Sequence, residues 1–174
     1  RVLVNGRQHP TLTVRAGAPQ RWRIVNAAQS RYFMLDLGAG HVFRKIGGDG
    51  GLTEYSEDHD FLVLGAGERA DVLVTPTAEP GEAVMLRSVL HDRGFGSTEY
   101  RDVEDLVAIT MADMPPYDAG PLPDTRREIT PYPTEGATSV DLTLTLSQDP
   151  RDKSFEYRIN DRPGWNAAPV PASP

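Results

Sequence analysis

Apolar and polar residues alternate one by one through most of the first 110 residues. Thr11-Leu12-Thr13-Val14-Arg15 alternates, and Trp22 and Ile24 share one face while Arg21, Arg23 and Val25 share the other. This is the two-residue period of a strand with one face toward a core. Segments 31–37, 42–46, 60–64, 70–74, 83–89 and 103–110 read the same way. Between them stand turn formers: Asn5-Gly6, Ala16-Gly17, Gly38-Ala39-Gly40, the glycines of 47–51, Gly65 to Gly67, and Glu79-Pro80-Gly81. Short strands separated by such turns, with no convincing helical face, predict an all-β sandwich or barrel of Greek-key type.

The pattern changes after residue 112. Six prolines (115, 116, 121, 123, 131 and 133) fall within a short stretch, a density that suits a stiff, extended connector and cannot pair inside a sheet. Alternation returns over 140–146, a second strand is expected at 155–159, and Asn160-Asp161 reads as a turn. The organisation expected is a domain over 1–112, a Pro-rich linker over 113–138 and a partial β tail over 139–174. Two strands bury too little to stand alone, so the tail is expected to open a further domain. Its 139–146 strand is expected to pair with another, in its own sandwich or in a second copy.

Composition narrows the function. The 174 residues carry 18 basic and 25 acidic side chains, a net charge of −7, with no Cys. Without Cys there is no disulfide, thiolate nucleophile, iron–sulfur cluster or Cys-based zinc site. Residues 1–50 hold a charge of +6 and the remainder −13, an asymmetry that points to surfaces meeting other domains. The acidic balance and scattered Arg exclude a nucleic-acid module. No apolar run approaches the roughly 18 residues of a membrane-spanning helix. The opening Arg1-Val2-Leu3-Val4 shows no signal-peptide pattern, and a processed chain or a piece of a longer one is expected.

Gly65-Ala66-Gly67-Glu68-Arg69-Ala70 matches a dinucleotide fingerprint, but the short β-branched segment after it ends in Pro76, whereas that fingerprint needs a helix. The glycines of 47–51 lack the Lys-Ser/Thr of a phosphate loop. His9, His41, His59 and His91 lie too far apart for a local metal motif, and His59 is expected in a solvated acidic loop. His91 and Asp92 lack a nucleophile elbow. The loop with His91, Arg93 and Phe95 either folds back on the sandwich or contacts a neighbouring domain or pocket. Arg21, Arg23 and Arg31 suit a solvated sheet face or an interdomain contact.

In order along the chain, these segments resemble the middle cupredoxin domain of three-domain multicopper oxidases, the laccase-like enzymes. The resemblance lies in Val2-Leu3-Val4-Asn5-Gly6 with Pro10, in the stretch from Gln20 through Arg21-Trp22-Arg23-Ile24-Val25-Asn26-Ala27, and in Ile46 through Asp49-Gly50-Gly51-Leu52. It continues in Gly67-Glu68-Arg69-Ala70-Asp71-Val72-Leu73-Val74 and in Arg93-Gly94-Phe95-Gly96. The tail resembles the first strands of the third domain. Ala66 stands where the family usually has Pro, and Asp161 where it has Gly.

The resemblance implies a cupredoxin-like sandwich and a parent oxidase that couples one-electron oxidation of phenols, aromatic amines or metal ions to reduction of oxygen to water. It marks Asn5, Gly6, Asp49, Gly50, Gly51, Glu68, Arg69 and Asp71 as signature turns. No catalytic, cofactor-binding or metal-ligating residue transfers to this chain, because the family's copper ligands lie in the other domains. Copper would belong to the parent, flanking cupredoxin domains would be the partners, and the location would be periplasmic or secreted. Two alternatives remain: a copper-free relative acting as a structural cell-division protein, and a generic β-sandwich binding module for sugars or surface ligands.

Overall fold

In the computed structural model, residues 1–79, 81–92, 103–118, 120–121, 128–151 and 153–163 are described. Among them every regular element is a strand, and there is no helix long and apolar enough to cross a membrane. The chain divides into two compact units, Arg1–Ile129 and Thr130–Pro174.

The first unit is a sandwich of two sheets. Strands β1 (Thr11–Val14), β3 (Phe33–Asp36), β6 (Phe61–Leu64), β8 (Ala83–Val89) and β9 (Glu104–Met111) form one sheet in the order β1-β9-β8-β3-β6. Strands β2 (Gln20–Val25), β4 (Phe43–Gly48), β5 (Gly51–His59) and β7 (Arg69–Val74) form the other, in the order β2-β7-β4-β5. The chain passes repeatedly from sheet to sheet, and β1 closes one end by pairing parallel to β9, with Thr11 opposite Ala108. The all-β Greek-key sandwich expected from the alternation, cupredoxin-like as the resemblance implies, is therefore the fold.

The core follows from the same alternation. Leu62 and Leu64 on β6, Ala70, Val72 and Val74 on β7, and Val84 and Leu86 on β8 point inward around Phe43 and Ile109, both fully buried. Trp22 and Ile24 pack against this cluster from β2, as their shared face predicts.

One stretch differs from expectation. The acidic segment containing His59 is not a solvated loop but the C-terminal part of β5, a nine-residue edge strand. At a sheet edge with little to bury, the strand needs no apolar alternation, and its charged side chains discourage pairing with other molecules. The turn between β4 and β5 requires glycine for space. A Cβ on Gly47 would lie 2.6 Å from the Gly51 carbonyl oxygen, at the point where β4 bulges.

The proline-rich stretch begins docked to the first unit rather than free. Arg15 donates from Nε to the Pro115 carbonyl (2.6 Å) and from Nη2 to that of Pro116 (3.3 Å), and the Tyr117 amide donates to Ala16 O (2.9 Å). The Arg15 guanidinium lies 5.3 Å from the Tyr117 ring centroid. Gly17, at φ 73°, leaves room that a Cβ would fill, 2.8 Å from Tyr117 O.

The second unit is a three-stranded meander of β10 (Leu144–Gln148), β11 (Phe155–Ile159) and β12 (Arg162–Pro163). The first strand was expected over 140–146; pairing instead begins at Leu144, opposite Ile159, and runs to Gln148, opposite Phe155. The connection sets this register: Asp149 accepts from the Arg151 and Lys153 amides and donates its own amide to Ser154 O. Asn160 and Asp161 adopt φ of 49° and 63°, the left-handed pair of a two-residue hairpin turn. Asp161 does so where glycine would be unstrained.

Candidate functional site

The signature residues serve separate turns and strand pairs, and two of them, Asp49 and Arg69, bond each other. Asn5 and Gly6, at φ 50° and 77°, form a tight turn closed by two backbone bonds between Val4 and Arg7 (2.8 and 3.0 Å). In the second sheet, the turn carrying Asp49, Gly50 and Gly51 reaches the start of β7. There the Asp49 carboxylate accepts from the Arg69 backbone amide at 3.0 Å and ion-pairs with its Nε at 3.0 Å. Glu68 accepts from the Gly65 amide through Oε2 (2.8 Å), bracing the turn between β6 and β7. Asp71 receives a bidentate pair from Arg21 across the β2–β7 ladder (2.9 and 2.6 Å), with Arg23 Nε at 3.9 Å.

A fork of this geometry is charge-assisted on both arms. Its hydrogen bonds hold the Asp71 carboxyl below the ordinary carboxylate range, and the same bonds raise the Arg21 guanidinium. One strand pair along, Arg44 does the same to Asp58 (2.7 and 2.8 Å) and lowers its pKa. Arg21, Leu73, Arg44 and Asp58 lie in one row across the four strands, so the outer face of this sheet is a ladder of ion pairs. Two of the three arginines set aside as a group, Arg21 and Arg23, belong to it. Arg31 instead pairs with Glu104 (3.1 Å) and lies over the Phe33 ring, 4.6 Å from its centroid.

A residue quoted in the motif but not singled out, Asn26, joins these turns. It is 3% exposed, and its side-chain amide donates to the carbonyls of Arg31 (2.7 Å), Leu64 (3.0 Å) and Gly65 (3.0 Å). Its Oδ1 accepts from the Ala28 amide (3.0 Å), and its backbone bonds Glu68 and Gly67. A buried side chain saturated in this way stitches the end of β2 to the β6–β7 turn. The available sequence signal was an Asn directly after the alternating strand Gln20–Val25.

The remaining candidates stay apart. His91 stacks on Tyr32, with centroids 6.1 Å apart and planes inclined by 25°. Arg93 and Phe95 lie outside the described residues. On β5, His59 Nε2 comes within 3.4 Å of the Glu57 carboxylate, without the geometry of a hydrogen bond. His41 Nε2 meets Thr77 N and O, each at 3.2 Å. A cleft of about 230 Å³ lies beside it, lined by Asp36, Asp60, Phe61 and the Gly38–Gly40 turn.

Copper, which the fold implies for a whole enzyme, finds no fitting donor set here. Among the described residues no three His, Asp or Glu side chains come together to hold a metal, and the chain has no Cys. No chemical step is assigned to these residues; what they do is fix turns and strand register.

The chain is 38% identical over 85 residues to a laccase of Bacillus subtilis (strain 168), covering 49% of this chain and 16% of that protein. It is 30% identical over 168 residues to the cell division protein FtsP of Salmonella typhimurium, covering 91% of this chain and 34% of that protein. A solved structure, the 2F4 variant of the McoA multicopper oxidase from Aquifex aeolicus, superposes with a TM-score of 0.70 at 25% identity, covering 92% of this chain and 34% of that one. The chain thus spans about a third or less of the length of the relatives it matches. The sequence profile of the multicopper oxidases matches residues 1–98, more than half the chain and the stretch holding every signature turn, and the chain belongs to the multicopper oxidase family.

Proposed function

We propose that residues 1–112 are the copper-free spacer domain of a multicopper oxidase, 113–138 its connector and 139–174 the opening strands of the next cupredoxin-like domain. The parent enzyme oxidises phenols, aromatic amines or metal ions one electron at a time and reduces oxygen to water. Its copper is held by the flanking domains, and this chain alone is inactive. The observation that carries the reading is that the charged signature residues Asp49, Arg69 and Asp71 are engaged in structural ion pairs, Asp49 with Arg69 and Asp71 with Arg21, while no three His, Asp or Glu side chains come together among the described residues. The flanking cupredoxin domains are its partners, in the periplasm or outside the cell.

A second reading has its own support. The similarity to FtsP runs over 91% of the chain, further than that to the Bacillus laccase, and favours a structural role in cell division for a parent without copper. Oxygen uptake separates the two. With a phenol or aromatic amine and added copper, the parent should consume oxygen and this chain should not. Uptake by this chain alone would overturn the spacer reading, and none by a correctly folded, copper-supplied parent would move the assignment to the cell-division relatives.

A further inference from the structure

The five-stranded sheet ends on β6, whose outer backbone edge has no neighbouring strand among the described residues. The edge strands of the other sheet carry charged side chains, Arg21 and Arg23 on β2 and Glu54, Glu57 and Asp58 on β5. Strand β6 reads Phe61-Leu62-Val63-Leu64 and carries none. Leu62 and Leu64 face the core, so Phe61 and Val63 face outward, 46% and 37% exposed. Val63 stands opposite Met34, and Met34 opposite Val89, so an apolar row runs inward from the edge across three strands. An edge strand that is apolar on both faces and open along its backbone is built to be covered.

The charge beside that edge identifies the kind of cover. The cleft at the start of β6 is lined by Asp36 and Asp60. Asp49, Asp58, Asp71 and Asp105 each face an arginine, at 2.6–3.0 Å. Among the described residues Asp36 meets only the Gly38 amide, and Asp60 has no ion-pair or hydrogen-bond partner. Arg87, across the ladder from Asp36, is taken by Asp105. His41, the other titratable group in the cleft, is engaged by Thr77.

We propose that β6 and the Asp36–Asp60 cleft form the docking surface for a flanking domain of the parent polypeptide, which adds an extended strand to β6 and places a Lys or Arg side chain in the cleft. Backbone pairing along the edge supplies affinity, and the cation fixes register. The source is the same polypeptide because the relatives this chain matches carry most of their length outside the matched region. This rests on the reading of the chain as one domain of a longer protein, not on whether that protein binds copper.

Amide hydrogen exchange at 61–64, in this chain and in the parent, tests it. The outward amides of β6 should exchange at least about tenfold more slowly in the parent, as local opening becomes coupled to the interface. Asp36→Asn with Asp60→Asn, which keeps the Asp36 acceptor for Gly38, should return them toward the rate in this chain, and so should Val63→Lys. Equal rates in both proteins would overturn the proposal. Protection that appears in this chain alone as concentration rises would assign the edge to a second copy and overturn it too, and protection indifferent to the Asn pair would remove the cation. Copper analysis of the same parent sample keeps the readings apart: a copper-free parent with protected β6 amides overturns the oxidase assignment and leaves the docking surface standing.

Discussion

The two units carry the same kind of sequence pattern and reach opposite outcomes. In the first, alternation places Val72, Ile109 and Phe43 out of contact with water. In the second, the alternating Leu144 and Leu146 are 74% and 54% exposed, and Tyr157, opposite Leu146, and Phe155 on the same strand are similarly open. Period two specifies which residues share a face, and only a facing sheet decides whether that face is buried. The first unit supplies both sheets of its sandwich; among the described residues the second supplies one.

That contrast predicts which substitutions matter in which unit. Phe43→Ala should destabilise the first unit by about 3–5 kcal/mol in urea denaturation, through lost burial and the cavity left behind. Leu146→Ala should change the stability of this chain by less than about 0.5 kcal/mol, since its side chain already meets water. In the parent the same change should cost several times more, and a small effect there would mean that the apolar face of β10 stays uncovered.

Smaller effects sharpen the comparison. Asn26→Ala should cost about 2–3 kcal/mol by leaving buried carbonyls without a donor, and Asn26→Asp more, because an acceptor would then face acceptors. Gly17→Ala should cost about 1–2 kcal/mol from its positive φ and should free the segment at Tyr117, read as faster proteolysis within 113–121. Asp161→Gly should stabilise the second unit by about 0.5–1 kcal/mol and leave the first unchanged, checked by the exchange rates of β11 amides.

Acid should act on the first unit through its ion-pair ladder. Asp58 and Asp71 have folded pKa values below their unfolded ones, held there chiefly by hydrogen bonds from Arg44 and Arg21. Their contribution is complete above the unfolded carboxylate pKa of about 3.9 and is lost as pH falls through the depressed folded values. Urea midpoints taken from pH 6 downward should therefore fall at acid pH. In Asp71→Asn the fall should be shallower, and an unchanged pH profile would remove Asp71 from this role.

What could be read from the sequence follows from the same physics. Strands β2, β7 and β8 announce themselves because one face is buried, and the Asn5-Gly6 and Asn160-Asp161 turns because their backbone geometry restricts residue choice. Strand β5 did not, since an exposed edge imposes no apolar pattern. The register of β10 was set by Asp149 in the connecting loop, whose bonding depends on residues on both sides of it. Asn26 was visible as a motif letter, but its partners at Leu64 and Gly65 are 38 and 39 residues away, and only the folded chain shows that it saturates them. The signature residues were legible as a family pattern; that Asp49 pairs with Arg69 and Asp71 with Arg21 required the distances.

Copper stoichiometry, measured by elemental analysis with a visible spectrum on the parent polypeptide and on this chain side by side, tests the account most directly. The account predicts a blue, copper-loaded parent and a colourless chain without stoichiometric copper. Copper bound stoichiometrically by this chain, or a folded, copper-supplied parent that binds none, would contradict it.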